Sequence, residues 1–267
     1  MKKKQLFAGA AVLAMLSAGG TSTVFADDAD KEWNGTDKSA TTQATVTFLE
    51  DDETGTIVDP DNPDGGDEDG NGGVDPVDPT NPNGAELMIS YASNLNFGAH
   101  KSKTATSFNA LADKVYADAE HTTTKEVTPF VATKDSRGTD RKGWSLQAKL
   151  DAPFTDGSGA VLEGAELSLS QLRYANVEGA PTVSADEKLV IDQEGVEVSN
   201  AGKEQGIGAW SLALGQLDGE VKQGEEDNEE TFKTTSGVTL SVPSTTSKNT
   251  STYSTTVTWE LVAEPGA

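Results

Sequence analysis

The sequence predicts an all-β protein, a β-sandwich or barrel-like single domain, preceded by a signal peptide and a disordered acidic linker. Three observations predict it. Apolar residues recur with a period of two: Trp144, Leu146, Ala148 and Leu150 alternate with Ser145, Gln147 and Lys149, and Val238, Leu240 and Val242 alternate with Thr239 and Ser241. Clusters such as Thr155-Asp156-Gly157-Ser158-Gly159 and Ser199-Asn200-Ala201-Gly202 punctuate these runs as turns. The chain also has no cysteine among 267 residues, so an exported fold of this kind must be held by burial alone, without disulfides or thiolate metal sites.

The clearest strand is the last one. Tyr253, Thr255, Val257, Trp259 and Leu261 share one face, and Thr256, Thr258 and Glu260 share the other. Many short strands without cysteine suit a sandwich or barrel. Only residues 108–119 offer a candidate amphipathic helix.

Residues 1–26 read as a signal peptide. Lys2, Lys3 and Lys4 precede an apolar run over residues 6–16, and Val24-Phe25-Ala26 presents compact residues for cleavage after Ala26. The run stops at Ser17-Ala18-Gly19-Gly20, well short of the roughly twenty residues of a membrane span. The residues from Trp259 to the end show neither a hydrophobic tail nor a Leu-Pro-x-Thr-Gly type of sorting signal. The expectation is a secreted, extracellular protein without membrane insertion, kept on the cell by noncovalent binding.

Residues 27–49 form a short segment with one alternating stretch, Ala44-Thr45-Val46-Thr47-Phe48-Leu49. Residues 50–84 then hold twelve acids, five prolines, seven glycines and no Lys or Arg. With so little to bury, that stretch is expected to be a disordered, extended tether. Residues 85–267 are long enough for one domain. The net charge of −24 excludes nucleic acid as a partner and argues against docking on anionic lipid.

Three tryptophans sit in one triplet pattern: Trp144-Ser145-Leu146, Trp210-Ser211-Leu212 and Trp259-Glu260-Leu261. On a strand, positions i and i+2 point the same way, so each triplet sets an indole beside a leucine on one face. Such a pair is either half of a core layer or part of an apolar docking patch. Trp210 is expected in the core, whereas Trp144 and Trp259 are open to both readings.

The segments Leu87-Met88-Ile89-Ser90-Tyr91-Ala92-Ser93-Asn94-Leu95-Asn96-Phe97-Gly98, Pro129-Phe130-Val131, Asp135-Ser136-Arg137-Gly138, Gly143-Trp144-Ser145-Leu146 and Val257-Thr258-Trp259-Glu260-Leu261 together resemble the WxL-domain surface proteins of Gram-positive bacteria, over about residues 85–267. The signal peptide and the Asp-Pro linker fit the small members of that group. The resemblance implies a module that attaches to the cell surface through peptidoglycan. Trp144, Leu146, Trp259 and Leu261 inherit the signature role, and Trp210 falls outside it. The resemblance also implies that the direct ligand is either glycan or protein: a membrane-anchored surface protein, or a host matrix protein.

Other constellations are weaker. Lys134, Arg137, Arg141 and Lys142 cluster before the first triplet, and Arg137 and Arg141 are candidates for meeting a carboxylate or phosphate of the wall. The linker offers a calcium-loop spacing at Asp67, Asp69, Asn71, Asp75 and Asp78, but without flanking helices and with Asp in place of the bidentate Glu. With two histidines, no cysteine and no nucleophile motif, a non-enzymatic protein without cofactor is expected.

Overall fold

The computed structural model describes residues 46–47, 49–62, 73–138, 141–224 and 229–263, and the expected signal peptide lies outside them. Among the described residues there is no helix. There are eighteen strands, beginning with β1 (Asp75–Pro76), β2 (Leu87–Ala92), β3 (Ser107–Leu111), β4 (Asp113–Tyr116), β5 (Thr124–Val127) and β6 (Phe130–Asp135). The chain continues through β7 (Gly143–Leu150), β8 (Thr155–Asp156), β9 (Glu166–Ser170), β10 (Leu172–Arg173), β11 (Thr182–Val183) and β12 (Lys188–Ile191). It ends with β13 (Val196–Gly202), β14 (Gly208–Leu214), β15 (Leu217–Gln223), β16 (Glu230–Ser241), β17 (Tyr253–Ser254) and β18 (Val257–Ala263).

Three of the sheets turn an apolar face to a common core. Their strand orders are β10-β14-β6-β2, β11-β13-β7-β18 and β12-β9-β16-β15, with β3 paired to β16. Alternation puts Trp144, Leu146, Ala148 and Leu150 of β7 into this core. There they join Leu167 and Leu169 of β9, Leu212 and Leu214 of β14, and Val238 and Leu240 of β16. Burial of these side chains at about 25 cal/mol per Å² is the main stabilising force in a chain without disulfides.

The second core corrects the expectation for the described parts of residues 50–84, namely 50–62 and 73–84; residues 63–72 lie outside the described residues. All six residues of β6 are buried, because its sheet is covered on both faces. Val131 faces the main core, while Phe130 and Ala132 face a smaller cluster with Ile57, Tyr91, Val115 and Val127, flanked by Val74. Ile57 and Val74 come from the stretch expected to be disordered.

Its described parts, residues 50–62 and 73–84, form a strap with fixed partners. Ser211 Oγ donates to the Val58 carbonyl at 2.6 Å, and Val58 pairs with Gly73 in an antiparallel bridge. The Thr128 amide and hydroxyl donate to the two carboxylate oxygens of Asp61, and Arg173 donates to Asp61 and to the Pro60 carbonyl. Lys125 pairs with the buried Asp59, and β1 pairs with β4. The prediction of a tether counted apolar residues and self-repulsion within the segment. The carboxylates find cations and donors on strands far away in sequence, and Ile57 finds a cavity that only the folded sheet provides. One compact unit accordingly spans Leu49–Ala267, with no boundary at residue 84.

Three further expectations change. Residues 108–119 form β3 and β4 instead of a helix, because Ala110 and Val115 are each drawn into a different core. Ser199 to Gly202 continue β13, with Ser199 and Ala201 buried against β7, and the turn follows at Lys203 to Gly206. Of the strand expected over residues 44–49, Val46, Thr47 and Leu49 are exposed and outside any strand, and the remainder lies outside the described residues.

Candidate functional site

β7 and β18 bring the first and last triplets together. They pair antiparallel with Leu146 opposite Leu261, Trp144 opposite Ala263 and Ala148 opposite Trp259. Directly opposed residues share a face, so both indoles and both leucines point toward the main core. Position within the sheet then separates them. β7 is flanked on both edges, whereas β18 is an edge strand.

Trp144 and Leu146 are 1% and 0% exposed, which takes both out of direct contact with any ligand. Gly206, at φ +66°, lies so close over the indole that a Cβ there would meet Trp144 Cζ2 at 2.8 Å and Ala201 Cβ at 2.7 Å. The Trp144 Nε1–H has no acceptor among the described residues. Trp210 meets the expectation made for it only in part. It is half-buried, donates to the Ile207 carbonyl at 2.9 Å and meets Tyr174 edge-on at 6.3 Å, at the margin of the core that Leu212 enters.

Trp259 and Leu261 are half-buried, and Trp259 lines a cleft of about 310 Å³. One wall is Val257 and Trp259 of β18 with the residues before the strand, Thr255 and Thr256. The other is the segment from Ala92 to Phe97 that leaves the end of β2, and Phe154 and Leu167 also line the cleft. The second wall is fixed by its own backbone bonds: Ser93 N–H donates to the Phe130 carbonyl at 3.0 Å, and Leu111 N–H donates to the Asn96 carbonyl at 2.7 Å. The Ser93 hydroxyl is committed as donor to Asp113 and as acceptor from Phe130 N–H. Asn94 Nδ2 donates to Asp78 at 2.7 Å, which orients its carbonyl oxygen as an acceptor. No lining residue is charged.

The basic cluster is spent on the fold. Lys134 is buried, with its Nζ on Asp51 Oδ1 at 2.8 Å and on the Asp51 and Glu53 carbonyls. Arg137 donates twice to the buried Asp135 carboxylate at 2.9 Å and once to the Gly143 carbonyl, and Arg141 donates to the Lys203 and Arg137 carbonyls. These arginines brace the entry to β7. Of the calcium-loop residues, Asp67, Asp69 and Asn71 lie outside the described residues, Asp75 pairs with His121 at 2.7 Å, and Asp78 accepts from Asn94.

The family described as "WxL domain surface cell wall-binding" matches residues 35–265. The chain belongs to the WxL family. No curated protein and no solved structure shows significant similarity to it. The matched span of this WxL domain begins upstream of the strap, in keeping with a strap that is part of the fold. Cell-surface association and a wall-binding role follow from membership. Among the described residues of the WxL domain no group of three or more acids or histidines is placed to hold a metal, and no helix is long and apolar enough to cross a membrane.

The wall from Ala92 to Phe97 went unassigned as a site in the sequence, although the WxL resemblance runs through it. Its role appears only when β2 and β18 are placed side by side.

Proposed function

We propose that this protein is exported by its signal peptide and held noncovalently on the outside of the cell by its WxL domain, which binds peptidoglycan through the Trp259 cleft and catalyses no reaction. The observation that carries this reading is the contrast within the signature. Trp144 is sealed in the core, whereas Trp259, its counterpart on the edge strand, keeps part of its indole open beside an uncharged cleft. An aromatic side chain beside a preformed, uncharged cleft whose polar groups can fix a ligand's orientation is one form that a small binding site takes. The four residues Trp144, Leu146, Trp259 and Leu261 divide their inherited role, with Trp259 contacting the ligand and the other three holding it in place.

A second reading has one observation in its favour. β18 is an edge strand, and an extended segment of a membrane-anchored or matrix protein would find backbone groups there to pair with. One experiment separates the two: pull-down of the purified chain with protein-free sacculi, with and without membrane protein extract. The expected result is retention on bare sacculi, lost in Trp259→Ala. Retention that appears only with the extract would overturn the peptidoglycan reading in favour of the protein partner.

A further inference from the structure

Resting on that reading, we infer that the Trp259 cleft takes an uncharged N-acetylated sugar ring of the glycan strand, and not the carboxylate-bearing stem peptide or a phosphate-bearing wall polymer. The argument is one of charge and shape. The lining holds Ala92, Leu95, Phe97, Val257 and Trp259 with the polar Ser93, Asn94, Thr255 and Thr256, and no ionisable group, on a chain of net charge −24. A carboxylate or phosphate entering such a site meets long-range repulsion and no cation to compensate its lost hydration. The arginines that sequence reading offered for that task, Arg137 and Arg141, brace loops instead. An ammonium group would find no carboxylate in the lining. A neutral ring incurs neither cost.

The polar groups suit the same ligand. A pyranose has an apolar C–H face and a polar rim, matching the open part of a half-buried indole bordered by hydrogen-bonding side chains. Asn94 has its amide nitrogen held by Asp78, which leaves its carbonyl oxygen to accept an acetamido N–H or a hydroxyl. Thr256 presents an exposed hydroxyl, and its carbonyl accepts from Asp151 N–H at 3.0 Å, which fixes its position. Thr255 donates to the Ala152 carbonyl and so anchors the wall without facing the rim. The volume, about 310 Å³, stands at the lower end of ligand sites, which run from about 300 to 1,000 Å³, and fits one ring-sized group at a time.

The test compares four probes on the full chain: intact protein-free sacculi, glycan strands freed of stem peptides by an amidase and coupled to a support, and, as competitors, a short N-acetylglucosamine oligomer and soluble stem peptide. Stripped strands should retain the chain about as well as intact sacculi do, because the lactyl carboxylate that amide hydrolysis frees sits on alternate rings and leaves each N-acetylglucosamine uncharged; the N-acetylglucosamine oligomer should compete, and stem peptide should not. Trp259→Ala should weaken binding about tenfold or more, as loss of a central aromatic anchor does. Asn94→Ala and Thr256→Val, both at exposed positions that leave the core intact, should each weaken it about threefold to tenfold, the effect of one lost neutral hydrogen bond. Binding to intact sacculi that disappears on stripping and is competed by stem peptide would overturn the inference and leave wall binding standing. Failure to bind intact sacculi would remove both.

Discussion

Lys134 Nζ lies 2.8 Å from Asp51 Oδ1, joining the buried strand β6 to a segment 83 residues earlier. The lysine is buried and also holds the Asp51 and Glu53 carbonyls, while the Asp51 side chain is half-exposed. Lys134→Ala should therefore destabilise the protein by about 2 kcal/mol, the range for lost hydrogen bonds to a charged group. Asp51→Ala should be milder, since water can reach its place. Denaturant unfolding of the two variants checks the order, and an equal effect would contradict it.

Deleting residues 49–62 should lower Tm by roughly 10 °C or more, because it uncovers Phe130, Tyr91 and Val127, strands Lys134 without Asp51 and Glu53, and takes Asp61 and Pro60 from Arg173. A disordered tether over residues 50–84, as expected from the sequence, would instead leave Tm within a few degrees. Calorimetry on the deleted chain decides between them.

The two signature tryptophans should respond differently to truncation. Trp144→Ala empties the centre of the core and should cost about 3 to 5 kcal/mol. Trp144→Phe should recover much of that, since the indole N–H it removes has no acceptor among the described residues. Trp259→Ala should keep the wild-type β-sheet circular dichroism and melt closer to wild type.

Wall binding should persist at molar salt. The cleft has no charged lining residue, so screening removes no attraction, and excluded salts strengthen apolar burial. Release at 0.5 M salt, measured by sedimentation with sacculi, would point to a charged contact elsewhere.

Acid should loosen two turns. Hydrogen bonds from the Thr123 hydroxyl and the Thr122 amide hold the Asp118 carboxyl at about 2, and bonds from Asn249, Ser158 and the Ala160 amide hold Asp156 well below the usual carboxylate range. Both folded values lie under the ordinary value near 3.9, so the stabilisation is complete above about pH 4 and fades as the pH falls toward 2. The Tm gap between wild type and Asp118→Ala or Asp156→Ala should be constant from pH 7 to 5 and close below pH 4.

Strand identity was legible in the sequence wherever one face is buried and the other wet, as in β7 and β16, because the period of two is then printed in the residues. Membership of the family was legible for the same residues. β6 and the strap were not. Phe130 to Asp135 is buried on both faces and carries no alternation, and the strap draws its order from Lys125, Thr128, Lys134, Arg173 and Ser211, none of them nearby in sequence. For the site, the triplets pointed to Trp259 but could not separate it from Trp144. The two differ by which strand has a neighbour on its far edge, a property of topology that no local pattern encodes.

The pairing of Leu146 with Leu261 has a consequence for the order of events in making the protein. β18 emerges after every other described strand, so β7 waits with one edge open and its core face unsealed while the intervening chain is synthesised. Contacts of such long sequence separation form slowly, and open edges invite pairing with other chains. The domain therefore closes only once its last strand is made, and a chain that stops short of β18 lacks both the last wall of the cleft and the strand that completes its sheet.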